Sequence, residues 1–442
     1  MQQQSNVDTI AAIATAQGRG GVGVVRISGR GFASVVQAVI GKLPVPRHAT
    51  FTDFKDQDGE VIDQGLALYF PAPHSYTGED VLELQGHGGS AVLHLLLQRC
   101  LSLGVRLAEP GEFTRRAFLN DKIDLAQAES VADLIEATTT EAARSAMRSL
   151  HGDFSAAINS LVEELTLLRM LVEAMLDFPE EDIEVVDTTR RDTLLHKIQS
   201  TLEQTLATAK QGSLLREGAH IALVGRPNVG KSSLLNRLAG EEVALVSDVP
   251  GTTRDVIRQA IQIRGVPLHI MDTAGLRESG DEVENMGMAR THQTVGRADL
   301  ILLLMDAGMG CSAEDQAIIA GFPADIPLLQ VFNKADLLKN QAGEGVYISA
   351  KTGLGIDELR EQILKLIGWS NQEGGTFIAR ERHLIALNLA HTHLDQATKQ
   401  LDQPELFAEE LRLTQHALNS ITGKFSADDL LGEIFSRFCI GK

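Results

Sequence analysis

The sequence predicts a multidomain protein of α/β plus all-α class. An α/β domain with a mostly parallel sheet is inserted into a discontinuous helical domain and preceded by a smaller α+β domain. Three observations carry this. Residues 216–369 alternate short apolar runs with turns and helical stretches, the pattern of a parallel sheet. Helical periodicity lies on both sides of that block, over 120–215 and over 370–442. Residues 1–119 are glycine-rich and mix strand-like runs with short helices. Two separate helical domains flanking the α/β block are the alternative arrangement.

The composition fits a globular chain of this size. Its 442 residues are 43% hydrophobic and 22% charged, which excludes a collagenous or wholly disordered protein. Forty Lys and Arg against 59 Asp and Glu leave a net charge of −19. Such a surface repels polyanions, so a nucleic acid must meet a local basic patch or a basic partner. Cys100, Cys311 and Cys439 lie too far apart in sequence to form a disulfide framework or a zinc site alone. The N-terminus, Met1-Gln2-Gln3-Gln4, has no signal-peptide character. The strongest apolar run, Leu300 to Met305, is far short of the roughly 20 residues that cross a bilayer. These features predict a cytoplasmic protein in a reducing compartment.

In the first block, Val22 to Ile27 and Val81 to Leu84 read as strands, and Ala91 to Cys100 as a helix. In the second, Leu161, Leu165, Leu168, Val172 and Met175 step by four, three, four and three onto one helix face. Pro179 among Asp177, Glu180, Glu181 and Asp182 breaks that helix, and a second helical stretch runs to Leu215. Beyond Gly374-Gly375, Leu384, Leu387 and Leu394, then Leu411, Leu418 and Ile421, mark further helices.

The third block carries the chemistry. Gly225 to Ser232 fits G-x-x-x-x-G-K-[ST], between an apolar strand, His220 to Val224, and a helix, Ser232 to Leu238, stopped by Gly240. This is a P-loop: backbone N–H groups of Asn228, Val229, Gly230, Lys231, Ser232 and Ser233 cradle phosphates at a helix N-terminus. Lys231 reaches the terminal phosphates, and the Ser232 hydroxyl ligates Mg²⁺. Asp272-Thr273-Ala274-Gly275 follows the strand Leu268 to Met271; Asp272 holds the metal through water, and Gly275 offers an N–H to the γ-phosphate. Thr253, within Gly251-Thr252-Thr253-Arg254-Asp255, is the candidate switch threonine that closes on Mg²⁺ and the γ-phosphate. Ile257 to Ile263 and Val266 to Met271 form a hairpin turning at Arg264-Gly265. Asn333-Lys334-Ala335-Asp336 supplies base choice: the Asp336 carboxylate accepts from the paired N1–H and 2-amino donors of guanine, which adenine lacks. Ser349-Ala350-Lys351 completes the base pocket. Five such motifs in order identify a guanine-nucleotide domain.

Leu276 stands where a Ras-like protein has its water-orienting glutamine. The acidic stretch Glu278, Asp281, Glu282 and Glu284 is the nearest replacement, and Arg254 the candidate transition-state arginine.

Three further stretches give the whole chain a resemblance: Gly18 to Gly23, Tyr76 to Asp80 with Gln85 to Gly89, and Pro110 to Phe113 with Asn120 to Lys122. With these, the nucleotide motifs and the terminal Phe438-Cys439-Ile440-Gly441-Lys442, the chain from about residue 8 resembles the tRNA-modification GTPases of the MnmE (TrmE) family, within the Era-like group. The resemblance implies a folate-binding and dimerising domain over 1–119, a helical domain over 120–215 and 370–442, and a GTPase domain over 216–369. It implies a GTP hydrolase that acts with a flavoprotein partner, MnmG (GidA), in a heterotetramer. Together they add a (carboxymethyl)aminomethyl group to carbon 5 of the wobble uridine of certain tRNAs, using a formyl- or methylene-tetrahydrofolate. It implies a homodimer, and hydrolysis stimulated by K⁺ held by Asn228, Ser247, Val249 and Thr252, with Asp248 and Pro250 in the same nucleotide-binding segment. Pro250 removes an N–H but keeps its carbonyl. The resemblance selects Glu284 to orient water and places folate on Arg26, Glu83, Lys122 and Lys442. A carboxylate such as Glu83 suits the pterin donor face, and cations suit the glutamate tail.

The glycines of Gly18 to Gly23 have a rival reading as a dinucleotide loop, but they precede a strand. Cys439-Ile440-Gly441-Lys442 has the spacing of a prenylation box, against which Gly441 and the terminal Lys442 argue. Cys439 is a buried cysteine or, as the resemblance implies, a catalytic group of the tRNA reaction. The competing functions are a ribosome-assembly GTPase of the Era-like group, disfavoured by the acidic charge, and a folate-binding scaffold.

Overall fold

The computed structural model describes residues 8–16, 18–177, 185–241, 257–272, 295–338, 345–370 and 375–424, with Ile434, Phe438 and Gly441. The chain forms two compact units, Met1–Ala132 with Asn419–Lys442, and Asp133–Leu418.

The first unit is built on a six-stranded sheet: β1 (Ile10–Ile13), β2 (Gly20–Ser28), β3 (Thr50–Lys55), β4 (Val61–Phe70), β5 (Val81–Gly88) and β6 (Arg106–Leu107). The order is β3-β4-β5-β2-β1-β6, antiparallel except for the β1–β6 pair. Alternation in β2 and β5 sends Val25, Ile27, Leu82 and Leu84 to one face. There they join Val35, Val36 and Val39 of α1 (Ala33–Val39) and Leu93, Leu96 and Leu97 of α2 (Ser90–Ser102) in a single core. The alternate positions, Val24, Arg26, Glu83 and Gln85, remain half-exposed on the other face. The glycines at 20, 21 and 23 lie within β2, whose neighbours β1 and β5 run antiparallel to it. A dinucleotide loop must instead join a strand to a helix, so that reading is excluded. α3 (Glu112–Leu119) and α4 (Leu125–Glu136) follow.

A buried polar network braces this unit. Ser28 Oγ donates to Glu79 Oε2 at 2.8 Å, and Arg116 bonds Glu79 at 3.1 Å and Glu112 at 2.9 Å. Burial works against the charge of Glu112, but hydrogen bonds from Arg106, the Glu109 N–H and Arg116 outweigh it and hold its carboxyl below the usual range.

The second unit joins helices to a sheet. Its helices are α5 (Thr140–His151), α6 (Asp153–Asp177) and α7 (Val185–Glu217). Leu161, Leu165, Leu168 and Val172 are buried on α6, as their spacing predicts. The α/β part runs β7 (Ala219–Val224), α8 (Lys231–Glu241), β8 (Ile257–Ile263), β9 (Val266–Asp272), β10 (Leu300–Asp306), α9 (Ala313–Ala320), β11 (Leu328–Asn333), β12 (Val346–Tyr347) and α10 (Ile356–Leu366). α11 (Glu381–Lys399) and α12 (Pro404–Thr422) come after it. Within this unit α7 packs along both α6 and α11, and Gln199 donates to Thr398 at 2.9 Å, so helices from before and after the α/β part meet, whereas residues up to Ala132 and from Asn419 belong to the first unit. At the seam where the chain enters and leaves the α/β part, the buried Asp133 carboxylate accepts from Arg216 and Arg380, each at 2.8 Å.

The sheet order is β12-β11-β10-β7-β9-β8, parallel except for the β8–β9 hairpin. Both faces are covered, so β10 reads as an unbroken apolar run. Leu302 and Leu304 pack toward Leu234, Leu238, Leu359 and Ile363, whereas Ile301 and Leu303 pack toward Met271 and Val295. The hairpin turns at Arg264 and Gly265, with φ of 49° and 83°, the left-handed pair that a tight hairpin needs. One expectation fails: α8 runs through Gly240 to Glu241. Without a left-handed φ there, glycine only weakens the last turn, by about 1 kcal/mol, and does not end it.

Candidate guanine-nucleotide site and the N-terminal sheet face

The phosphate loop leaves the carboxyl end of β7, where the strand order reverses between β10 and β9. Asn228 and Gly230 adopt φ of 64° and 101°. A Cβ on Gly230 would lie 2.3 Å from the Asn333 amide nitrogen, so only glycine fits. Lys231, buried at the first turn of α8, curls back and donates to the Gly225 and Arg226 carbonyls at 2.6 and 2.8 Å. Ser232 and Ser233 are exposed in the same turn, beside N–H groups that no helical carbonyl satisfies. Asp272 ends β9, as the sequence predicts.

Asn333 joins the pocket together. It is 3% exposed, its amide donates to the Val229 carbonyl at 2.8 Å, and its oxygen accepts from the Ala350 N–H at 3.0 Å. One side chain thus ties the phosphate loop to the loop carrying Ser349, Ala350 and Lys351. Lys334 follows at φ 65° and donates to Asp306 Oδ2 at 2.7 Å. The Lys334 ammonium beside Asp306 holds that carboxyl below the usual carboxylate range. Ala335, whose N–H donates to the Ile348 carbonyl at 2.9 Å, opens a 3₁₀ turn that leaves Asp336 exposed.

Two residues of this pocket escape sequence reasoning. Arg237 of α8 donates to the Ala350 and Lys351 carbonyls at 3.1 and 2.7 Å, fixing the base loop from behind. Asp306, the last residue of β10, is the partner of Lys334. Neither belongs to a motif; the only signal for Asp306 is its place at the end of a buried strand.

On the N-terminal sheet, Arg26 and Glu83 are register partners on β2 and β5, joined at 2.9 Å. The Arg26 guanidinium also lies 5.6 Å from the Tyr76 ring centroid and 5.7 Å from that of Phe113. The second Glu83 oxygen accepts from Gln85 at 3.3 Å. Lys122 packs its stem against Gly78, whose φ is 78°: a Cβ there would meet Lys122 Cγ at 3.2 Å. The Tyr76–Gly78 loop thus touches both Arg26 and Lys122. Phe438 is buried with Leu125 and Ala128, and the backbone of Gly441 closes on the Ile13 carbonyl, beside β2. The tail residue before Lys442 therefore sits at the edge of the same sheet. Burial pushes the Cys100 thiol up to about 12, which removes it as a nucleophile.

Ser247, Asp248, Val249, Pro250, Gly251, Thr252, Thr253, Arg254, Thr273, Ala274, Gly275, Glu284, Cys439 and Lys442 lie outside the described residues. Among the described residues, no helix is long and apolar enough to cross a membrane.

Comparison with known proteins agrees with both halves of this architecture. Residues 9–122 match the family model of the GTP-binding protein TrmE N-terminus, and residues 125–439 match that of the MnmE helical domain. The chain is 62% identical to the tRNA modification GTPase MnmE of Nitrosospira multiformis, over 98% of this chain and 99% of that protein. It is 58% identical to the protein of the same name from Nitrosomonas europaea, with the same coverage. With that from Chromobacterium violaceum it shares 57% identity over 98% of both chains. A loop built for phosphates, a loop built for guanine and near-full-length identity lead to one assignment: this chain belongs to the tRNA modification GTPase MnmE family.

Proposed function

We propose that this chain binds and hydrolyses GTP and that hydrolysis serves the modification of the wobble uridine in tRNA. The observation that carries the nucleotide half is Asn333, which ties the phosphate loop to the loop of Ser349, Ala350 and Lys351. In this reading Asn228 to Ser233 enclose the phosphates, Lys231 exchanges its loop carbonyls for phosphate oxygens, and Asp336 reads guanine with Ser349, Ala350 and Lys351 behind the base. Asp248, Pro250, Gly251, Thr273, Ala274 and Gly275 complete the nucleotide contacts. Mg²⁺ falls to Ser232, to Thr253 and, through water, to Asp272. It supplies neutralisation of phosphate charge.

The hard oxygen donors of Asn228, Ser247, Val249 and Thr252 suit K⁺. The exposed, left-handed Asn228 at the mouth of the loop supports this reading. Glu284 orients the attacking water, and Arg254 is the candidate for transition-state charge. Faster phosphate release in K⁺ than in Na⁺, lost in Asn228→Ala, is the expected result; equal rates in both salts remove the potassium site.

The N-terminal face is assigned to a formyl- or methylene-tetrahydrofolate. Arg26, Glu83 and Lys122 surround the Tyr76–Gly78 loop, and Lys442 follows Gly441 at the sheet edge. Glu83 offers an acceptor to the pterin, and the cations pair with the glutamate tail. Calorimetry on the full chain with a formyl-tetrahydrofolate should give binding that Arg26→Ala weakens. The same face carries exposed Val22, Phe51 and Leu66, an apolar patch that supports homodimerisation through the N-terminal units. The division into residues 1–119, 120–215, 216–369 and 370–442 belongs to this reading, as do a flavoprotein partner, MnmG (GidA), in a heterotetramer and a cytoplasmic location. Cys439 is placed in the tRNA reaction. Cys439→Ser is expected to keep GTP hydrolysis and impair wobble-uridine modification, measured by phosphate release and by nucleoside analysis of cellular tRNA. Full modification would make the cysteine structural.

A further inference from the structure

All but one of the backbone N–H groups from Ser349 to Leu354 find an acceptor within the protein. Ser349 donates to the Leu354 carbonyl at 2.9 Å and Gly353 to the Ser349 carbonyl at 2.8 Å. Ala350 donates to Asn333 Oδ1 at 3.0 Å, Thr352 to Ser349 Oγ at 3.1 Å and Leu354 to Thr352 Oγ1 at 3.5 Å. Among the described residues, none accepts the Lys351 N–H. A loop that satisfies its other backbone donors and leaves one at an exposed residue keeps that one for water or a ligand.

The direction of that N–H is set from α8. Arg237 is half-buried there, and its guanidinium reaches two successive carbonyls: Nε donates to that of Ala350 at 3.1 Å, and a terminal nitrogen to that of Lys351 at 2.7 Å. A trans peptide holds its C=O and N–H antiparallel, so drawing the Ala350 carbonyl onto α8 turns the Lys351 N–H away from α8. Ser349 and Ala350 are buried, which leaves the loop little room to rotate, and its turn closes at Gly353 with φ of 91°. The planar fork of an arginine can span two carbonyls in this way, whereas an ammonium on a flexible stem is a point donor. Asn333, which ties the same loop through Ala350, stands three residues before Asp336.

We propose that Arg237 determines base specificity: by holding the Ala350 and Lys351 carbonyls, it presents the Lys351 N–H to the oxygen on carbon 6 of guanine. The proposal rests on the guanine reading of Asp336 and deepens it. Along the edge of the base the 2-amino group, N1–H and O6 follow one another. With the first two donating to Asp336, the neighbouring O6 needs a donor, and the loop tied to Asn333 has one to give. Adenine carries an amino group in that place, which would meet the Lys351 N–H donor to donor. Asp336 thus accepts from one part of the guanine edge and Lys351 donates to the other. Arg237 is the positioning residue, which acts through the loop without touching the nucleotide.

Calorimetric titration of the full chain with three diphosphates separates the two contacts. Inosine diphosphate keeps O6 but lacks the 2-amino group. 6-Thioguanosine diphosphate keeps both donors and replaces O6 by sulfur, a weak acceptor. The parent should bind both analogues less tightly than GDP. In Arg237→Ala, affinity for GDP and for inosine diphosphate should each drop about tenfold, while that for the sulfur analogue changes by less than about twofold. The variant therefore keeps the parent's preference for GDP over inosine diphosphate and loses most of its preference over the sulfur analogue. Arg237→Lys, which keeps the charge but not the fork, should show the same pattern at smaller size, and it carries the test if Arg237→Ala does not fold. GDP affinity at the parent value overturns the proposal. So does an equal loss for all three nucleotides, which would make Arg237 part of the framework alone. A parent chain that does not distinguish GDP from inosine diphosphate overturns instead the guanine reading on which the proposal rests.

Discussion

The two sheets carry their candidate binding groups in opposite ways. In the nucleotide domain, the groups meant for a ligand are held by backbone. Lys231 rests on the Gly225 and Arg226 carbonyls, and Asn333 spans Val229 and Ala350. On the N-terminal sheet, Arg26 and Glu83 neutralise each other across a strand pair. A pocket built on backbone geometry is sensitive to any atom that shifts the loops. A pair set by register leaves the backbone ladder of the strands untouched when Glu83 is replaced by its isosteric amide, which still offers Arg26 an acceptor oxygen. The first region should therefore fail through geometry and the second through recognition.

Gly230→Ala should have the largest effect. The added Cβ meets the Asn333 amide at 2.3 Å and demands a left-handed φ, so nucleotide affinity should fall by roughly 100-fold in a fluorescent-GDP titration. An affinity close to the parent's would show that the loop does not depend on this approach. Asn333→Ala comes next. It strands the Val229 carbonyl and the Ala350 N–H in a buried place and should cost about 2–3 kcal/mol of stability, read from denaturant unfolding.

Glu83→Gln sharpens the contrast from the other side. Because the amide oxygen still accepts from Arg26, stability should move by no more than about 1–2 kcal/mol, while formyl-tetrahydrofolate affinity falls by about tenfold in calorimetry. A large loss of stability would place Arg26–Glu83 in the framework instead. The smallest effect concerns acid. The folded Glu112 carboxyl lies below its unfolded range, so its stabilisation is present above the unfolded value and is lost as pH falls through the folded one. The Asp8 carboxyl, held down first by its hydrogen bond from Arg106, acts in the same direction. Unfolding free energy should therefore decline below about pH 4, and less steeply in Glu112→Gln.

The contrast also explains what the sequence made legible. The phosphate loop, the hairpin at Arg264-Gly265 and the guanine motif are local patterns, so each could be read from a few neighbouring residues. The Asn333 bond to Val229 spans 104 positions and the Arg26–Glu83 pair spans 57, and neither distance leaves a local trace. Arg237 escaped for the same reason: its partners lie on a loop more than 100 positions away. A glycine near a helix end, such as Gly240, ends the helix only where its φ is left-handed, which a sequence does not display. The helical blocks are legible as helices from their periodicity, but the packing of α7 on α11 joins residues nearly 200 positions apart and leaves no local trace.

In the proposed function Asp336, exposed after the left-handed Lys334, reads the guanine base. The direct measurement is a parallel titration of the parent chain and Asp336→Asn with GTP and with xanthosine triphosphate. An amide can donate where the carboxylate could only accept, so the variant should lose GTP affinity and gain affinity for the xanthine nucleotide, while the parent prefers GTP. Unchanged GTP affinity in Asp336→Asn would contradict the claim.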